Sequence, residues 1–103
     1  MTGRKFDKGK ARWDLLPWNE VGQIVQVLTY GAQKYDDDNW KHVRPFFRRY
    51  FSAMMRHIFD RFIKNERLDP GSGLPHLAHA GCCLLFLMWG DKRPGEVWSE
   101  RKD

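Results

Sequence analysis

The 103-residue chain has only two cysteines, Cys82 and Cys83. Neighbours in sequence cannot bridge each other without distortion, so a disulfide framework is excluded and the pair reads as reduced core residues of a cytosolic protein. Long hydrophobic runs are also missing: the longest, residues 80–89, is well short of the ~20 residues that span a bilayer. The first ten residues are polar and no apolar stretch follows them, so no secretory leader is expected. There is no Walker-type glycine loop, no Gly-x-Ser-x-Gly elbow and no spaced Cys-x-x-Cys pair, which removes the familiar nucleotide-hydrolase, serine-hydrolase and zinc-ribbon readings. No segment reads as a strand, and there is neither an internal repeat nor a low-complexity tract. A soluble all-α protein is expected: a small bundle of three main helices with a basic N-terminal arm. Folding alone buries about two-thirds of the surface of so short a chain, which limits its core.

What the chain has in excess is aromatics and positive charge. Five Trp and seven Phe are many for this length, and surface aromatics serve subunit contacts or stack on flat ligands, so completion of the bundle by homo-oligomerisation is expected. Eighteen Lys and Arg against thirteen Asp and Glu give +5 and a pI near 9.5, favouring an anionic partner. Lys5, Lys8 and Lys10 lie with Arg4 and Arg12 in the arm. Trp13, Leu15 and Leu16 follow as its expected hydrophobic anchor.

The first helix is predicted from Pro17 to about Gln33, with Asp14 or Asn19 capping it and Val21, Ile24, Val25, Leu28 and Ala32 forming one buried stripe. Asp36, Asp37 and Asp38 then stand against the helix dipole, a misplacement that points to a task. The second helix is predicted from Pro45 to about Asn65. Phe47, Tyr50, Phe51, Met54, Ile58 and Phe62 line one of its faces; Arg49, Ser52, Arg56 and Asp60 line another, beside Arg48 and His57. The third runs from Leu74-Pro75 to Gly90, with Leu77, Ala80, Gly81, Leu84, Leu85 and Met88 as its core side. It is apolar almost all round, as befits a central or interface helix, and Gly81 permits close contact. Residues 1–90 form the domain and 91–103 a charged tail, with Pro94-Gly95 as a turn and Trp98 as its candidate for docking.

Two polar stretches are hard to explain as packing. Residues 69–80 read Asp-Pro-Gly-Ser-Gly-Leu-Pro-His-Leu-Ala-His-Ala, a glycine-loosened turn entering a helix, where backbone N–H groups and ligating side chains are exposed together. Residues 29–40, with Tyr30, Lys34, Tyr35, Asn39 and Trp40, close the first helix. Trp13 and Trp40, beside basic residues, are candidates to stack on a base, with core packing the stronger competitor for Trp13. His76, His79 and Cys83 share a side of the third helix at i, i+3 and i+7, where a metal binds two of them, and His57 joins if the helices pack antiparallel in register. Asp38, Glu66 and Asp69 are carboxylates near the turns that a divalent ion needs, although no helix carries paired acids at i and i+3 or i+4.

Residues 5–17 (KFDKGKARWDLLP), 28–35 (LTYGAQKY) with Asn39-Trp40, Arg56-His57, and 69–80 together resemble the phage-associated N-terminal domain of dATP/dGTP diphosphohydrolase, almost as far as Trp89. The resemblance implies a phage or prophage origin, the cytoplasm of an infected bacterium, a helical domain and a purine nucleotide ligand. It also implies a link to enzymes that remove pyrophosphate from deoxynucleoside triphosphates, as helical MazG-like hydrolases do with magnesium held by paired acids.

Those pairs are missing here, so the leading expectation is a nucleotide-binding protein that sequesters a host signalling nucleotide, linear or cyclic, and needs no cofactor. Lys5, Lys8, Lys10, Lys34, Arg49, Arg56 and His57 would neutralise phosphate. Asn39, Asp69, Ser72, His76 and His79 would orient the ligand, and Trp40, Tyr35 or Tyr30 would stack on its base. The alternative is a dATP/dGTP pyrophosphohydrolase using magnesium or manganese. Nucleic-acid binding ranks last because the polar motifs cluster at turns instead of forming a long stripe.

Overall fold

The computed structural model describes residues 2–98, Trp98 by its backbone alone. Three helices carry the fold: α1 (Trp18–Tyr35), α2 (Phe46–Phe62) and α3 (His76–Asp91). Short 3₁₀ turns at Trp13–Leu15 and Asn39–His42 precede α1 and α2, and a π-helical turn, Pro94–Trp98, follows α3. No strand is present among the described residues; Leu68 and Pro75 make one isolated bridge. The all-α expectation is met. None of these helices is long and apolar enough to cross a membrane.

Prolines set all three starts. Pro17, Pro45 and Pro75 are the N-cap residues rather than the first helical ones, and none of the caps uses a side chain. Asp14, expected as a cap, instead binds Arg12 at 2.7 Å. The C-termini shift from their predicted places for backbone reasons. Helix α1 continues to Tyr35, where Asp36 turns away at φ 104° while its N–H still reaches the Ala32 carbonyl at 2.8 Å. Helix α2 stops at Phe62, short of Asn65, because Asn65 adopts φ 56°, a left-handed conformation that Asn tolerates better than most residues.

The core lies between α2 and α3. Phe46 is fully buried and packs so tightly on Gly90 that a Cβ there would sit 2.5 Å from its ring. Trp40 stacks on Phe86 at 4.2 Å and 8° and meets Trp89 edge-on, while Tyr50 meets Phe86 edge-on at 5.0 Å. Such pairs contribute about 0.5–1.5 kcal/mol each beyond their buried area. Helix α1 approaches α3 at Gly81, where a Cβ would lie 2.9 Å from Ile24 Cδ1, so the expected close contact at this glycine is present.

Several packing expectations are corrected. Trp13, Leu15 and Leu16 do not anchor the arm; all three are exposed, as are Lys5, Lys8 and Lys10. The roles of the two tryptophans are reversed, Trp40 entering the aromatic core and Trp13 facing solvent. On α3 the buried side is His76, Ala78, Ala80, Cys82, Cys83, Phe86, Leu87 and Gly90, whereas Leu77, Leu84, Leu85 and Met88 are exposed. A helix apolar on every face offers no periodicity from which to choose its inner side. Val25, Phe51 and Phe62 are likewise exposed, and Val27 is the buried residue of α1. In the segment after α3, Val97 docks into the core at 1 % exposure, while the Trp98 side chain and residues 99–103 lie outside the described residues.

Helix α1 lies against α3 rather than between both partners, and the molecule is elongated, 60 × 36 × 28 Å. Its radius of gyration of 17.1 Å exceeds the ~13 Å of a compact domain this long.

Candidate functional site

A cleft of about 680 Å³ opens where the end of α1, the 36–43 connection, α2 and α3 meet. Its lining includes Tyr30, Lys34 and Tyr35 from α1, Asp36, Asp37, Asp38, Asn39 and Trp40 from the connection, Arg49 and Arg56 from α2, and His79 and Cys83 from α3. The seven-residue spacing of Arg49 and Arg56, two turns of α2, puts both guanidinium-bearing positions on the cleft side. Two separated sequence segments, 29–40 and the basic row of α2, thus meet at one site. Trp40 has one face covered by Phe86, while Tyr35 is 55 % exposed and offers an open ring. Lys34 stands 5.1 Å over that ring. Its pKa is raised, first by hydrogen bonding to Tyr35, then by the charges of Tyr35, Tyr30 and, more weakly, Asp69.

His79 joins the cleft to a polar cluster built on the 63–75 loop. Asp69 organises that loop: its N–H donates to the Leu74 carbonyl (2.8 Å), its carbonyl accepts from the Gly73 N–H (2.7 Å), and its Oδ2 accepts from the Ser72 N–H (2.9 Å) and hydroxyl (3.0 Å). Gly73 takes φ 74°, a left-handed turn for which glycine is the unstrained choice. The Ser72 oxygen also receives the Leu74 N–H at 3.2 Å and lies 2.7 Å from His79 Nε2. With its one proton given to Asp69, Ser72 accepts from His79 Nε2–H, which leaves His79 Nδ1 as an acceptor.

Next to it, His76 is fully buried at the start of α3. Its Nε2 lies 2.6 Å from Glu66 Oε1 and its Nδ1 2.8 Å from His57 Nδ1. A neutral His76 donating to Glu66 presents its Nδ1 lone pair to His57 Nδ1–H. The ring of His57 in turn stacks on that of His79 at 4.5 Å and 10°. The antiparallel register required for His57 to meet the third-helix histidines is therefore realised.

Burial disfavours the charged form of two of these imidazoles, His57 and His79. Burial, followed by the neighbouring His79 and His76, pushes His57 down to about 4. Burial also lowers His79, against the opposing pull of Asp69. For Asp69 burial acts upward, but the two Ser72 hydrogen bonds and the charges of His79 and His57 outweigh it, and the carboxyl ends below its ordinary range. Both rings are neutral at pH 7, when they can accept a proton or bind a cation.

The residues named from sequence separate into three places. Tyr30, Lys34, Tyr35, Asn39, Trp40, Arg49, Arg56 and His79 line the cleft. His57, Asp69, Ser72, His76 and Glu66 form the adjoining cluster. Lys5, Lys8 and Lys10 are in the exposed arm and line neither. Two groups have ligand atoms that converge among the described residues, His57 with Asp69 and His76, and Asp60 with Glu66 and His76. Neither contains Asp38, which pairs with Lys41 at 3.3 Å, nor Cys83, whose thiol burial pushes up to about 11. The pairing of Glu66 with His76, and Asp60 as a possible ligand beside them, carried no signal in sequence spacing.

Residues 1–100 match the family model described as dATP/dGTP diphosphohydrolase, N-terminal. A protein of Salmonella phage PMBT28 described as a dATP/dGTP diphosphohydrolase is 37 % identical over 89 residues, 86 % of this chain. The match spans 30 % of that relative's length. No solved structure matches. With its whole helical body inside the family match, the chain belongs to the dATP/dGTP diphosphohydrolase N-terminal family.

Proposed function

We propose that the chain handles purine deoxynucleoside triphosphates for a phage dATP/dGTP diphosphohydrolase, holding the nucleotide in the cleft for release of pyrophosphate. The supporting observation is that Arg49, Arg56, Lys34 and the exposed ring of Tyr35 line one cleft together with His79. Guanidinium groups neutralise phosphate and match its oxygens in pairs. Tyr35 offers the base a stacking surface, and Asn39 a donor and an acceptor for its edge. Magnesium or manganese would accompany the triphosphate and offset its charge, and Asp36, Asp37 and Asp38, which line the cleft, would supply carboxylate oxygens to hold it. Cleavage to a monophosphate breaks the bond between the α-phosphorus and its bridging oxygen as water attacks. His79, neutral and with Nδ1 unprotonated, is the group at the cleft suited to take the water's proton.

The family relationship favours this reading over sequestration of a signalling nucleotide. Calorimetry with dATP, dGTP, dCTP, dTTP and cyclic purine nucleotides, with product analysis in magnesium or manganese, tests it. Preference for dATP and dGTP, release of pyrophosphate and about tenfold weaker binding by Arg56→Ala are expected, the size of one lost charged hydrogen bond. Failure to bind either purine triphosphate overturns it. Tighter binding of a cyclic nucleotide that is left intact restores sequestration.

A further inference from the structure

We propose that His57, His76 and one carboxylate oxygen of Asp69 form a site for a first-row transition-metal dication, distinct from any ion that accompanies a triphosphate in the cleft. The ligand atoms of the three residues all lie within 4.8 Å of one another. Two nitrogens each ~2.1 Å from a zinc-sized ion stand ~3.0 to 3.4 Å apart at right-angled to tetrahedral geometry. His57 Nδ1 and His76 Nδ1 are already 2.8 Å apart, so admitting the ion requires the rings to part by a few tenths of an ångström.

The surroundings are arranged as those of metal-binding side chains are. A ligating histidine characteristically gives its second N–H to a carboxylate, which fixes its tautomer and aims its lone pair; His76 does this with Glu66 at 2.6 Å. The Asp69 carboxylate is immobilised through its Oδ2, which accepts from the Ser72 N–H and hydroxyl, and the His57 ring is held in plane by stacking on His79. The ligands come from α2, the 63–75 loop and α3, so the ion ties these three segments together. Binding conserves protons: the His57 proton moves from Nδ1 to Nε2, and the nitrogen it vacates coordinates. Two imidazoles and a carboxylate suit zinc, cobalt or manganese, whereas magnesium favours an all-oxygen, octahedral shell. At least one coordination position stays open to water.

The second converging group, Asp60, Glu66 and His76, would require His76 Nε2 to coordinate instead of donating to Glu66. It is the competing outcome.

The test uses the untagged full chain, stripped with chelator and then equilibrated with zinc, cobalt or magnesium in the absence of nucleotide, so it is independent of the cleft's function. Mass-spectrometric metal analysis and calorimetry are expected to give one zinc or cobalt per chain and no stoichiometric magnesium. Asp69→Asn and His57→Ala should each weaken zinc binding at least 100-fold. Glu66→Gln should keep the stoichiometry with 10- to 100-fold weaker affinity, the usual loss for such a supporting carboxylate, and Asp60→Asn should change nothing. If a variant does not fold, imidazole ¹⁵N shifts of the wild-type chain decide: zinc must move Nδ1 of both His57 and His76. Absence of stoichiometric zinc and cobalt, unmoved Nδ1 signals, or binding lost with Asp60→Asn but kept with Asp69→Asn overturns the proposal.

Discussion

The two sides of α3 are held very differently. Against α2 it presents Phe86, Trp89 and Gly90 to a fully buried Phe46 and the Trp40 and Tyr50 rings, and the His57–His76 contact joins the same two helices nearer the start of α3. Against α1 the contact centres on Ile24 and Gly81, with Val27 as the buried residue of α1, and the arm ahead of α1 is exposed from Thr2 to Leu16. The side chains of the candidate site divide unequally along that line. Arg49, Arg56 and the three histidines stand on the closely packed α2–α3 pair and Glu66, Asp69 and Ser72 on the loop that joins it, while Tyr30, Lys34 and Tyr35 are supplied by the more lightly held α1. A site built across such a boundary has one densely packed wall and one lightly packed wall.

The contrast is broken most severely by Phe46→Ala. Emptying a fully buried aromatic site costs about 3–5 kcal/mol, so urea or thermal denaturation should show a large loss. A sharper comparison sets Gly90→Ala against Gly81→Ala. The first forces a methyl into an immobile ring, and overpacking of that kind costs about 1–3 kcal/mol. The second meets the flexible tip of a half-buried Ile24, so its loss of stability should be the smaller and its hydrogen-exchange effects confined to α1. The reverse order would mean that α1 is the better-packed partner. The smallest effect is expected from deleting residues 2–11, which should change stability by less than ~0.5 kcal/mol, as for other surface changes. The truncated chain should also bind dATP as the full one does; a marked loss of affinity would return Lys5, Lys8 and Lys10 to the phosphate site.

How much of this was legible in the sequence follows from the physics of each signal. The helix starts were readable because Pro17, Pro45 and Pro75 punctuate the chain, and the Arg49–Arg56 row because helical spacing fixes azimuth. The inner face of α3 was not, since apolar residues surround it and only tertiary packing selects a side. Trp13 and Trp40 were exchanged for a related reason: indole exposure depends on which aromatic neighbours arrive from distant segments, here Phe86 and Trp89. The Asp69–Ser72–His79 cluster was visible as a motif because its members are local. The His57–His76 contact, nineteen residues apart, depends on how α2 and α3 register, and sequence could state it only as a condition.

Cys82 and Cys83 are both buried, and burial pushes their thiols up to about 12 and 11. A thiol so far from its reactive anion is nearly inert to alkylating reagents while the helices stay closed. Modification therefore reports the moments at which α3 opens, and because Cys83 also borders the cleft, the chain carries its own stopwatch for both breathing and occupancy, without any introduced label.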